Sequence, residues 1–336
     1  MRRIKVIVTD FIETDLDWEV EYCKKLGIDF EYYQMKFSSP EELLSTVKDA
    51  DVLIVNMCKI TAQIISGLER CRLIIRHGIG YDNIDIDAAT TRQIAVGYVP
   101  DYCVNEVAEQ TLMLILACQR KLNQQIQITN QSVQSGNWDF SVINPVYLLR
   151  GKTVGIIGFG RIGRTVYEIL KGFNVQFRIV DPYVSEEMQN KYGIKTVTLE
   201  TALKESDVIT IHSSLRWGET YHLLGMPQLK MMKRNAILVN TARGAIVDLE
   251  ALDLALREGL ISMAGIDVYE TEPPPPDFPL LNNPRAICTP HLSWLSEESG
   301  WNIRNKIMED LSRFVDGKPP VNQVNEEVVF TLNKNI

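Results

Sequence analysis

The chain has 336 residues, 45% of them hydrophobic, which is the length of about two domains with a sizeable core in each and excludes a disordered chain. Thirty-five Lys and Arg against 43 Asp and Glu give a net charge of −8, so there is no basic footprint for nucleic acid. The 6 cysteines and 4 histidines are scattered without a Cys-x-x-Cys pair, which excludes a disulfide framework and predicts no metal.

Short β-branched runs open the chain and alternate with helical patterns: Lys5–Val8, Val52–Val55, Leu73–Ile75 and Ile94–Val96. Continuous apolar strands between helices predict a parallel sheet covered on both faces. Ser39-Pro40-Glu41-Glu42 reads as a helix start, with Ser39 as N-cap and Pro40 at the first helical position. A single helix without a breaker is predicted from Asn105 to about Gln127, apolar at first and amide-rich later. Its apolar part, Leu112–Cys118, is the longest apolar stretch and falls far short of the roughly 20 residues of a membrane span. No signal core precedes it, so a cytoplasmic protein with no membrane partner is expected.

A second strand series follows: Thr153–Ile157, Val175–Val180, Val208–Ile211, Ile237–Asn240, Ala264–Val268 and Ala286–Cys288. Six strands with helices between them make up the inventory of a doubly wound dinucleotide fold. A last amphipathic helix is predicted from about Glu297 to Val315, with Ile303, Ile307, Leu311 and Phe314 at helical spacing.

Directly after Thr153–Ile157 stands Gly158-Phe159-Gly160-Arg161-Ile162-Gly163, a G-x-G-x-x-G run placed between strand and helix. Gly158 would make the tight turn, Gly160 would let backbone approach a pyrophosphate, and Gly163 would allow close helix–strand packing. Asp181, 18 residues beyond Gly163, stands where a carboxylate would hold the adenosine ribose and repel a 2′-phosphate. The cofactor is therefore expected to be NAD.

Three polar residues follow later strands of this series: Arg243, Glu272 and His291. The carboxyl ends of such strands line the ligand crevice of an open α/β sheet. Hydride transfer to a carbonyl needs a proton donor for the developing alkoxide, which suits His291. Glu272 on the far ring nitrogen would orient the imidazole and stabilise its cation. Arg243 would grip a substrate carboxylate with two parallel hydrogen bonds. These roles imply a 2-keto acid, or a 2-hydroxy acid in reverse.

The glycine run, Asn240–Asp248, Asp267-Val268-Tyr269-Glu270-Thr271-Glu272-Pro273 and Thr289-Pro290-His291 resemble the D-isomer-specific 2-hydroxyacid dehydrogenases over nearly the whole chain. The resemblance implies an α/β protein of two doubly wound parallel-sheet domains, a Rossmann domain inserted into a flavodoxin-like substrate domain. The expected division is 1–102 with 293–336 for substrate and 103–292 for NAD. It gives substrate binding to Arg243, acid/base work to His291 and its tuning to Glu272. It also places Asp267 at the nicotinamide, Thr111 and Thr241 along the cofactor, and Arg161 and Ile162 in the cofactor loop.

By the same resemblance Arg76, Gly78, Ile79 and Gly80 take the substrate carboxylate, which agrees with the anion-binding nests that glycine backbones form. His77 reads as an accident of this loop, and Lys59 as a cleft charge or a solvated lysine. Trp294 and the run Arg76–Asp85 are similar to the C-terminal binding protein branch, where the tryptophan would wall the pocket against an apolar tail or else pack in the core. A homodimer through the segment 131–150 is expected. Two other readings are an NADH-sensing corepressor-like binding protein and a D-3-phosphoglycerate dehydrogenase without regulatory domain.

Overall fold

A computed structural model describes residues 2–329, which divide into two compact units, 2–102 with 296–329, and Cys103–Leu295. The first carries a parallel sheet of β1 (Lys5–Val8), β2 (Asp29–Tyr32), β3 (Val52–Val55), β4 (Leu73–Arg76) and β5 (Ala95–Tyr98). Its order, β2-β1-β3-β4-β5, is the flavodoxin-like one. β2 escapes a search for apolar runs because Asp-Phe-Glu-Tyr is an edge strand with both faces partly wet.

Alternate strand residues feed two cores. Ile7, Leu53, Ile74 and Val96 pack with Val47, Ile64 and Ile65 on one face. On the other face Val6, Ile54 and Ile75 meet Ile303, Ile307, Leu311 and Phe314 of helix Glu297–Val315, which Ser296 caps. The tail then closes the β5 edge: Tyr98 N donates to Asn322 O at 3.2 Å and Val324 N to Val96 O at 2.8 Å. Buried Asn325 accepts from Val96 N at 2.9 Å and donates to Ile94 O at 2.9 Å.

In the same helix Asp310 is 2% exposed and accepts from Val321 N at 2.7 Å. Burial lifts its carboxyl from 3.8 to about 6. A raised folded-state value means stability that is present below about pH 4 and lost as pH rises through about 6. Asp310→Asn keeps the acceptor and removes the charge, so the variant should exceed wild type by about 2–3 kcal/mol at pH 8. Urea denaturation should show this gap closing toward pH 4; a gap that ignores pH would contradict the assignment.

The second unit holds β6 (Thr153–Ile157), β7 (Gln176–Val180), β8 (Val208–Ile211), β9 (Ile237–Asn240), β10 (Met263–Ile266) and β11 (Ala286–Cys288). They are parallel and ordered β11-β10-β9-β8-β6-β7. Beyond β7 a single bridge from Ile179 to Thr196 stands where a further strand would lie.

The predicted single helix is two, Val104–Gln119 and Leu122–Ser135, parted at Lys121 with φ +54°. The first buries Ala108, Leu114, Ile115 and Cys118, and a side chain at Gly265 of β10 would press to 3.0 Å from Leu114 Cβ. The second is largely exposed. Lys121 N donates to Cys118 O at 3.0 Å and its Nζ to Ile143 O at 3.0 Å, so bonds rather than Gly or Pro make the break.

Candidate active site

Each glycine after β6 has its own reason. Gly158 has φ +91°, and a Cβ there would lie 2.5 Å from Ser213 N. At Gly163, inside helix Arg161–Lys171, it would lie 2.1 Å from Gly158 O. At Gly160, the N-cap, nothing lies within 4 Å, leaving open room before a helix end whose N–H groups favour anions. Arg161 is exposed at the first helical position, and Ile162 packs half-buried against the core.

At the end of β7, Asp181 Oδ2 accepts from Phe159 N at 2.7 Å and Oδ1 from Tyr183 N at 2.8 Å, which fixes the carboxylate beside the glycine turn. Arg216 covers the Tyr183 ring at 4.6 Å, and Tyr183 OH donates to Glu219 at 2.9 Å. This strap between two loops gave no sign in the sequence, because its members are 36 residues apart.

Burial holds the His212 pKa down at about 3, so the ring is neutral, with Nε2 2.9 Å from Thr210 Oγ1. His212 Nδ1 and Ser213 Oγ are buried without a hydrogen-bond partner next to the Gly158 turn. Buried polar atoms seldom stay unpaired. Orphaned groups beside an open glycine turn, with a carboxylate at the next strand end, fit a dinucleotide such as NAD.

Beyond β9, Asn240 shapes the loop that carries Arg243: its Nδ2 donates to Arg243 O at 2.8 Å and its Oδ1 accepts from Ala242 N at 3.0 Å. Thr241 and Thr111, both buried, share a hydrogen bond of 2.8 Å. Gly244 then lies against the chain after β10, where a Cβ would meet Tyr269 C at 2.0 Å. That close approach sets the Arg243 loop beside the Glu272 loop.

Glu272 Oε1 accepts from Tyr269 N at 3.0 Å, and Oε2 lies 2.8 Å from His291 Nδ1. Burial alone would raise the Glu272 pKa, yet the hydrogen bond and charge of His291, the Tyr269 N–H and the Arg243 charge bring it below the ordinary value. Glu272 is therefore a carboxylate, which can only accept. Nδ1 carries the hydrogen, and Nε2 is left to exchange a proton with a substrate.

His291 itself has φ +55°, a left-handed backbone that its surroundings impose. Asp267, fully buried, supplies much of that constraint. Its Oδ1 accepts from Thr289 Oγ1 at 2.5 Å and Leu292 N at 3.1 Å, and its Oδ2 from Ser293 N at 2.9 Å and Ser293 Oγ. Residues 293–295 thereby stay with the second unit. Both Asp267 oxygens serve the loop that presents His291, a clamp that sequence spacing alone does not reveal. Trp294 is half-buried, with Nε1 donating to His291 O at 3.0 Å, so its indole braces the same turn.

In the first unit Gly78 has φ +150°, and a Cβ there would strike Arg76 Nη1 at 2.6 Å. The Arg76 guanidinium donates to Asn56 Oδ1 in the turn after β3 at 3.5 Å and to His77 O of its own loop. Ile79 and Gly80 follow at partly exposed positions, and Lys59 is exposed. Buried Asp10 accepts from Met57 N at 2.6 Å and Cys58 N at 3.2 Å, while Asn83 donates to Asn56 O and Cys58 O. These bonds bind together the turns after β1, β3 and β4.

Residues 112–293 match the family model described as D-isomer specific 2-hydroxyacid dehydrogenase, NAD binding domain. A glyoxylate reductase of Aeropyrum pernix is 38% identical, with 98% of each chain covered. A D-3-phosphoglycerate dehydrogenase of Archaeoglobus fulgidus is also 38% identical over 96% of this chain, which spans 59% of that relative's length. The solved D-lactate dehydrogenase of Aquifex aeolicus, complexed with NAD and lactic acid, superposes with TM-score 0.84 at 28% identity, covering 95% of this chain and 99% of that one. With the glycine turn, Asp181 and the Arg243, Glu272 and His291 loops in one unit, the chain belongs to the D-isomer-specific 2-hydroxyacid dehydrogenase family.

Proposed function

We propose that this protein is an NAD-dependent oxidoreductase that interconverts a D-2-hydroxy acid and a 2-keto acid, with His291 as acid/base. The observation that carries the reading is the 2.8 Å contact of His291 Nδ1 with an ionised Glu272, which leaves Nε2 for proton exchange. Bound NAD would accept the hydride, and NADH would supply it. Gly158, Gly160, Arg161, Ile162, Gly163, Asp181, Thr111, Thr241 and Asp267 would hold the cofactor. Asp181 favours NAD over NADP by repelling a 2′-phosphate.

In the reducing direction Arg243 holds the substrate carboxylate and polarises the adjacent keto oxygen. His291 Nε2–H then donates its proton to the alkoxide as it forms, while Glu272 stabilises the ring in both charge states. In the oxidising direction neutral Nε2 takes the hydroxyl proton. Arg76, Gly78, Ile79 and Gly80 supply the second grip on the carboxylate. Placement in the C-terminal binding protein branch rests on Trp294 and the Arg76–Asp85 run.

The protein is further proposed to be a cytoplasmic homodimer. Its cysteines Cys23, Cys58, Cys71, Cys103, Cys118 and Cys288 are free thiols, as a reducing compartment requires. Leu122, Ile126, Val133, Trp138, Phe140 and Leu148 are exposed between residues 122 and 148, apolar side chains that a second copy of the chain would cover. A panel of 2-keto acids from glyoxylate to branched homologues, assayed against NADH and NADPH, tests the reading. Turnover of at least one acid with NADH preferred is expected, with a dimer mass by light scattering on the same sample. No turnover on the panel would sink the enzyme, and a monomer mass the assembly.

A further inference from the structure

His77 stands between Arg76 and Gly78, and its ring turns into the interior of the first unit. Nε2 lies 2.8 Å from Oε1 of Glu13, in the connection from β1 to helix Asp17–Lys25. The two side chains are 10% and 12% exposed. They enter a cavity lined by Val8, Leu16, Ile54 and Ile307, together with Glu19 and Arg304. Arg304 is taken up by Glu19, with Nε to Oε1 at 2.5 Å and Nη2 to Oε2 at 2.6 Å, so Glu13 is left to His77.

Burial would raise the Glu13 pKa, but the hydrogen bond and charge of His77, with N–H groups of the local backbone, hold it at about 2. Glu13 is thus an acceptor at any working pH, and His77 Nε2 carries the hydrogen. His77 is also fixed by its main chain, N donating to Val55 O at 2.8 Å and O accepting from Arg76 Nη1. The residue next in line is Gly78 at φ +150°, with Gly80 two further on, and glycine backbone has little stiffness of its own. An anion nest made there depends on what anchors its start.

We propose that Glu13 and His77 are a positioning pair, which holds the Arg76–Gly80 loop in the shape that receives the substrate carboxylate. The inference rests on the proposed function, since it takes this loop as a carboxylate site. A purely structural pair would move stability and leave substrate affinity alone.

Steady-state kinetics with the best 2-keto acid, NADH titration by fluorescence and binding of oxamate to the NADH complex separate the cases. Glu13→Ala should raise KM about tenfold and weaken oxamate equally, with kcat within about twofold and NADH affinity unchanged. Glu13→Gln, whose amide oxygen still accepts from Nε2–H, should recover most of the loss. His77→Phe should raise KM as Glu13→Ala does, and the double variant should be no worse than either single one.

An unchanged KM in Glu13→Ala, or in His77→Phe should the alanine variant not fold, overturns the pair while the enzyme stands. Equal losses in Gln and Ala do the same. A wild type that neither turns over a 2-keto acid nor binds oxamate overturns the proposed function, and this inference with it.

Discussion

His291→Ala is expected to lower kcat by about 10³-fold while leaving the NADH affinity within about twofold, the size of effect that general acid–base catalysis supplies. The proton route explains the split. Glu272 fills Nδ1, so Nε2 is the ring's remaining exchange site. The His291 side chain is not part of the glycine turn or of the Asp181 contacts. Single-turnover kinetics with excess enzyme, beside fluorescence titration of NADH, provide the check. A kcat within tenfold of wild type would remove His291 from the chemistry.

Arg243→Ala is expected to cut kcat/KM by about 10²–10³-fold, since a bidentate, charge-assisted grip and the polarisation of the keto oxygen are lost together. Arg243→Lys should recover only part of this, because an ammonium is a point charge without the planar fork. There is a second expected consequence. The Arg243 charge is one of the groups that keep the Glu272 pKa down, so the alanine variant also loosens the ionisation of the His291 partner. The double variant Arg243→Ala with His291→Ala should therefore lose less than the product of the single losses. Full multiplicativity, or a lysine variant equal to wild type, would show that Arg243 acts elsewhere.

The two sheets and the dinucleotide turn were legible because their signals are local. Continuous apolar strands, a glycine at each tight step and a carboxylate after the next strand stand within a few residues of one another. Arg243, Glu272 and His291 were equally visible, each lying just beyond a strand, and the structure brings the last two to 2.8 Å. What stayed hidden depends on distance along the chain. Asp267 clamps a loop some 25 residues away, Asp10 holds a turn 47 residues away, and the ring of His77, read as an accident, meets a carboxylate 64 residues earlier. β2 and the break at Lys121 were missed for another reason: one is an edge strand without an apolar run, the other a left-handed lysine held by hydrogen bonds.

The helix Glu297–Val315 and buried Asn325 give the first unit a particular order of birth. Every strand of its sheet leaves the ribosome before residue 103, yet Ile303, Ile307, Leu311 and Phe314 cover one face, and Asn325 seals an edge. That sheet must wait half-clothed while the whole of Cys103–Leu295 is synthesised, on the order of ten seconds or more at roughly 5–20 residues per second. The intervening unit has no such debt, since all its strands are contiguous in the chain. The nascent protein thus completes its middle before its beginning.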